Sequence, residues 1–157
     1  MPLILVEAPR DVGVGIRPAI ISDLPQIMEV ERLAFGGQWD YFQFKASLDD
    51  IFLLAVDASG GAIVGFLVAC CCKVARRGII LRVGVHPDYQ GQGIATKLLQ
   101  ESFSALRKKD LDEVELDVDI VKDGAMRLYE KMGFQVVALF SPDFEEEESF
   151  HIMRKKL

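Results

Sequence analysis

Three groups of residues in this chain have the types and spacing to do chemistry. The first is Gln90-Gly91-Gln92-Gly93, which follows the apolar run Ile79 to Val85 across His86-Pro87-Asp88. It leads into a stretch with Ala95, Leu98, Leu99, Phe103 and Leu106 at helical spacing. A strand that hands a glycine-rich loop to a helix start is an anion site. The first-turn N–H groups have no helical partner, the dipole favours negative charge, and glycines let the backbone approach phosphate oxygens. The loop lacks the third glycine and distant acid of a dinucleotide fingerprint, and no Gly-Lys-Ser/Thr closes it as a P-loop. The second group is the alternation EVELDVDI from Glu113 to Ile120, which puts Val114, Leu116, Val118 and Ile120 on one strand face. Glu115, Asp117 and Asp119 share the other, which is solvated at a sheet edge but must meet a cleft or water in a sheet centre. The third is Tyr129, on a helical face with Ala125, Leu128 and Met132, where a packed tyrosine needs a partner for its hydroxyl. His86, the titratable ring beside the loop, reads as structural before a proline at a strand end.

The elements that position these groups follow from patterning. A strand from Val12 to Arg17 is closed by Pro18, and Ser22-Asp23-Leu24-Pro25 starts a helix, with Ser22 as cap. That helix runs through Ile27, Val30, Glu31 and Ala34 to Gly36-Gly37, and a second spans about Asp40 to Leu48. Ile51 to Val56 and Ile63 to Val74 pair across a turn at Asp57 to Gly61, and Arg76-Arg77-Gly78 turns into the strand ending at Val85. After the long helix come the strand Glu113 to Ile120, a helix from Gly124 to Met132 stopped by Gly133, and strands Gln135 to Phe140 and Ser149 to Arg154. This order predicts an α/β fold on a mixed sheet, with one domain over 1–157.

Composition narrows the classes. With 50% hydrophobic and 27% charged residues, the chain suits a compact globular domain. A net charge of −6 argues against nucleic acid and mildly for a cationic partner. No apolar run reaches membrane-span length, and the opening MPLILVEAPRD lacks the basic region of a leader, so the expectation is a cytoplasmic protein with no membrane partner. Cys70, Cys71 and Cys72 alternate faces on one strand, which suits small buried hydrophobes and not a metal site.

Two motifs then point to a family. Gln90-x-x-Gly93-x-Ala95, after Val83-x-Val85-x-Pro87, resembles the acetyl-coenzyme A signature of the GNAT superfamily of N-acetyltransferases. Ala125-x-x-Leu128-Tyr129-Glu130-Lys131-x-Gly133-Phe134 resembles the family's fourth-helix motif, and IRPAIISDLPQIMEVERLAF is similar to its first strand and helix. The pattern is closest to the type that acetylates protein N-termini, including the ribosomal-protein alanine acetyltransferases. The resemblance implies a GNAT-like (acyl-CoA N-acyltransferase) fold, with a mostly antiparallel sheet of about seven strands and about four helices. It implies acetyl-CoA as acyl donor, with no metal, held by Val83, Gly84, Val85, Gln90, Gly91, Gln92, Gly93, Ile94, Ala95 and Thr96. It makes Tyr129 the candidate acid for the leaving thiolate. It also makes Asp117, twelve residues earlier where relatives carry Glu, the candidate base through a water, with Glu31 in reserve. Lys122 stands where those relatives usually carry Asn, and Gln90 where many carry Arg, which shifts phosphate binding toward backbone dipoles.

The acceptor is less defined. Glu31, Phe35, Trp39 and Asp119 are candidate acceptor contacts, since the family builds acceptor walls from the Phe35-to-Phe44 region and from the loop holding Asp143 and Glu145 to Glu148. Aromatics at helical spacing also suit a plain core, and most acidic runs are only solvated. The expected acceptor is a primary amine (a peptide N-terminus, a lysine or a cationic small molecule), with direct transfer by a monomer or homodimer. The alternative is a CoA-binding sensor or scaffold with the same fold and little turnover.

Overall fold

The structure, a computed structural model, describes residues 13–120, 123–141 and 149–157. The strand start at Val12, Lys122, Asp143 and Glu145 to Glu148 lie outside the described residues. The elements in order are β1 (Val14–Pro18), α1 (Leu24–Phe35), α2 (Tyr41–Ala46), β2 (Ile51–Asp57), β3 (Ile63–Cys72), β4 (Arg77–Val85), α3 (Ile94–Lys108), β5 (Glu113–Asp119), α4 (Asp123–Lys131), β6 (Gln135–Phe140) and β7 (Phe150–Lys156). The seven strands form one sheet in the order β1-β2-β3-β4-β5-β7-β6. Its pairs are antiparallel except β4 with β5, which α3 joins as a parallel crossover. The expected mixed, mostly antiparallel fold is therefore observed.

Two core clusters hold the layers together. Leu98, Leu99, Phe103 and Leu106 of α3 pack on Leu67, Ile80, Val114, Leu116 and Met153, and α4 adds Ala125, Leu128 and Tyr129 to that cluster. Leu24, Ile27 and Val30 of α1, with Phe44 of α2, pack on Phe52, Leu54, Phe66 and Val68. Strand β3 serves both clusters, which explains its unbroken apolar run.

Several local expectations need correction. Ser22 does not cap α1: Ile21–Asp23 is a 3-10 turn, and Asp23 turns away to accept from Arg17 at 2.8 Å and from the Ile20 N–H at 2.8 Å. The turn before β4 sits earlier than Arg76-Arg77-Gly78, with Arg76 in the left-handed region at φ 52° and β4 beginning at Arg77. Gly78 is needed for packing, since a Cβ there would lie 2.5 Å from Leu106 Cδ2. The three cysteines are half-buried, not buried; Cys71 packs on the α3 cluster.

Candidate active site

Strands β4 and β5 pair only at Arg77 with Glu113, Gly78 with Val114 and Ile79 with Glu115. Beyond Ile79 they separate. The cause lies on the other edge of β4: Val68 faces Arg82 and Ala69 faces Ile80, so Leu81 is an extra, bulged residue. A bulge bends its strand and raises the local twist. The opening is a cavity of about 180 Å³. Leu81, Arg82 and Val83 of β4 form one side and Asp117 and Asp119 of β5 the other, while Phe35 of α1 and Tyr129 of α4 also line it.

A second cavity of about 190 Å³ lies at the end of β4. Val85, Gln90, Gly91, Gly93, Ile94, Ala95 and Thr96 line it, together with Leu128. Gly93 is the N-cap of α3 at φ 80°, with no side-chain cap, and Gly91 has φ 78°. A Cβ at either glycine would meet nothing within 4 Å, so the approach is open. The N–H groups of Ile94, Ala95 and Thr96 are in the first turn, without intrahelical acceptors. An open, donor-rich, positive helix end fits a pyrophosphate. The loop is braced from behind: Gln90 Nε2 donates to the Val85 carbonyl at 3.2 Å, and the Tyr89 hydroxyl donates to Asp57 at 3.2 Å. His86 is structural, as its Nδ1 accepts from the Asp88 N–H at 3.0 Å. Helix α4 borders both cavities, with Ala125 and Tyr129 on the first and Leu128 on the second.

Electrostatics distinguish the carboxylates of β5. Glu113 pairs with Arg77 at 2.7 Å and Glu115 with Arg154 at 2.8 Å, which neutralises that half of the acidic face. Among the described residues no side chain forms a hydrogen bond or ion pair with Asp117, which is exposed at the cavity wall. Tyr129 packs edge-on to Phe134 at 5.8 Å. Burial pushes its phenol above the ordinary value, and the negative charge of Asp117 adds to the shift. Tyr129 therefore remains a hydrogen-bond donor at neutral pH.

The structure thus gathers Tyr129, Asp117, Asp119, Phe35 and Val83 around one cavity and the loop residues from Gln90 to Thr96, except Gln92, around the other. Gln92 is exposed and lines neither. Gly84 lies behind the wall, where a Cβ would stand 2.7 Å from Phe66 and 3.0 Å from Phe35. Glu31 and Trp39 are also behind it. Glu31 is fully buried and accepts from the Trp39 N–H at 2.9 Å and from Arg82 at 2.5 and 3.2 Å. Sequence reasoning missed Arg82 and Leu81. For Arg82 a signal existed, because a cation inside the apolar run ILRVGV has to find an acceptor, and Glu31 sits on the apolar face of α1.

Residues 21–134 match the Acetyltransferase (GNAT) family, a span that includes both cavities. The chain belongs to this family. It is therefore an N-acetyltransferase by descent, as its two motifs indicated. The N-alpha-acetyltransferase of Sulfurisphaera tokodaii is 27% identical over 166 residues, covering 96% of this chain and 98% of that protein. Among solved structures, Ard1 from Thermoplasma volcanium superposes with a TM-score of 0.81 at 21% identity, over 93% of this chain and 99% of that one. A chain of the NatC complex bound to Gag peptide and CoA gives 0.80 at 22% identity, over 92% and 98%. These likenesses establish the fold, and among the described residues no cluster of metal-binding side chains occurs.

Proposed function

We propose that this protein transfers the acetyl group of acetyl-CoA to the free α-amino group of a polypeptide, by direct attack in a ternary complex. The observation that carries the reading is the opening between β4 and β5, where Tyr129 and Asp117 line one cavity and α4 connects it to the anion loop. The names of the relatives support the acceptor class.

Acetyl-CoA supplies the activated acyl group. The N–H groups of Ile94 to Thr96 and the open backbone at Gly91 and Gly93 hold its pyrophosphate. Among the described residues the β5-facing edge of β4 has no strand partner beyond Ile79, so Val83 to Val85 are available to bond an extended arm as an added strand. Asp117 accepts the proton that the attacking amine releases, through a water. As the new N–C bond forms and the C–S bond breaks, the Tyr129 hydroxyl donates a hydrogen bond to the departing sulfur. A phenol held above about 10 is a weaker acid than a thiol near 8.5, so Tyr129 stabilises the thiolate without giving up its proton. Asp117 passes the amine's proton on through its water to solvent, and the departing thiolate takes one up from solvent, so the carboxylate is regenerated and CoA leaves as the thiol.

A base that takes the proton only as the amine attacks needs an amine already neutral in part, which favours an α-amine. At pH 7 an α-amino group of pKa about 7.7–8.0 is neutral in roughly a tenth of molecules, whereas a lysine amine near 10.4 is neutral in fewer than about one in a thousand. The test is thiol release from acetyl-CoA with three acceptors: a peptide with a free N-terminus and no lysine, an N-blocked peptide with one lysine, and a polyamine. Release with the first alone is expected. Faster release with either of the others would overturn the acceptor assignment. No release with any, while acetyl-CoA still raises Tm, would leave a CoA-binding protein of the same fold.

A further inference from the structure

The strongest feature outside the reacting groups is the pair of the buried Glu31 with the part-buried Arg82. The Glu31 carboxylate is inaccessible to solvent and ties three segments together. It belongs to α1, it accepts from the backbone N–H of Trp39 in the α1–α2 connection, and it accepts twice from Arg82 on β4. Arg82 follows the bulged Leu81, where β4 leaves β5. Its guanidinium lies 4.0 Å from the centre of the Phe35 ring and 5.8 Å from Trp39, and its Nη2 also donates to Gln38 at 3.3 Å. Arg82 and Phe35 both line the cavity that holds Tyr129 and Asp117.

A buried ion pair is weak as a source of stability, because desolvation offsets most of its attraction. Its fork geometry instead fixes relative position, as the planar guanidinium meets the carboxylate through two donors. We infer that Arg82 is a positioning residue for the acceptor, clamping Phe35 and the 36–39 connection against β4 through Glu31. This rests on the acyl transfer proposed above. The clamp acts on the wall opposite Asp117 and touches none of the loop from Gln90 to Thr96. It therefore governs acceptor binding far more than acetyl-CoA binding.

The decisive variant is the double substitution Glu31→Gln, Arg82→Met. Removing one partner alone would strand a buried charge, whereas the pair of changes keeps the volume, an acceptor for the Trp39 N–H and an unbranched stem over Phe35. Trp39 is the sole tryptophan, so its fluorescence reports the clamp independently of catalysis. The expected result has three parts. Acrylamide quenching of Trp39 increases, the KM for a free-N-terminus peptide rises about tenfold, and the KM for acetyl-CoA stays within about twofold. Arg82→Lys, which keeps the charge but loses the fork, gives an intermediate peptide KM. If the double variant does not fold, Arg82→Lys decides alone.

An unchanged peptide KM in a wild type that turns over would overturn this inference and leave the transferase reading intact. Equal rises in both KM values would also overturn it, as a general packing defect. A wild type that releases no thiol with any acceptor would overturn the transferase reading, and the acceptor role of Arg82 with it.

Discussion

Gly93 and Gly61 form a matched pair for testing the anion loop. Gly93 has φ 80° and Gly61 has φ 72°, and a Cβ at either would meet nothing within 4 Å. Alanine at either position therefore incurs the same conformational penalty, about 1–2 kcal/mol for a left-handed residue. In a domain of this size that lowers Tm by about 2–8 °C. The two differ in what they face. Gly61 ends the β2–β3 turn, its N–H donating to Asp57 O at 2.7 Å, and lines neither cavity, whereas Gly93 lines the loop cavity at the start of α3. A methyl group at Gly93 occupies the space through which phosphate reaches the N–H groups of Ile94 to Thr96. Loss of one hydrogen bond to a charged oxygen is worth about 1.5–3 kcal/mol, or about 10- to 150-fold in affinity. Gly93→Ala should raise the acetyl-CoA KM by that factor in a thiol-release assay, and Gly61→Ala should leave it unchanged at similar Tm. Equal acetyl-CoA KM values for the two variants would refute the assignment of the loop to phosphate.

Two further predictions concern packing and charge. Gly84→Ala should lower Tm by about 2–12 °C, because a Cβ would press on the Phe66 and Phe35 rings at 2.7 and 3.0 Å. Moving Phe35 should also raise the acceptor KM, measured with saturating acetyl-CoA. The hydrogen bonds from Arg17 hold the Asp23 carboxyl below the usual carboxylate range, assisted by the Ile20 N–H. A lowered folded-state pKa gives stability that is complete above the ordinary value of about 3.9 and fades as pH falls through the lowered one. In Tm measured against pH, Arg17→Met should therefore trail wild type most above about pH 4, with the gap narrowing under more acidic conditions.

Much of the fold was legible because it depends on local periodicity. The spacing of Leu98, Leu99, Phe103 and Leu106 placed the buried face of α3, and the glycines and Pro87 placed the loop before it. The alternation of EVELDVDI placed Asp117 and Asp119 on one face, and the order of elements put β5 beside β4. What was not legible depends on distant partners. Neither the bulge at Leu81 nor the separation of β4 from β5 leaves a mark in the run ILRVGV. The acidic face looked uniform, yet Arg77 and Arg154 neutralise Glu113 and Glu115 from other strands. Gly78 read as a turn residue because glycine serves both turns and close packing, and only the position of Leu106 tells them apart. Glu31 read as a reserve base, whereas its oxygens are engaged by Arg82 and Trp39.

The central claim is that Tyr129 acts on the departing sulfur within the opening between β4 and β5. Its most direct test is the kcat of Tyr129→Phe beside wild type, with acetyl-CoA and a free-N-terminus peptide both saturating. The substitution removes only the hydroxyl and keeps the ring against Phe134, so Tm and the acetyl-CoA KM should hold. The account predicts a kcat lowered by about 10²- to 10³-fold, the cost of removing one hydrogen-bond donor from a developing negative charge. A kcat equal to wild type would contradict it and return Tyr129 to the core.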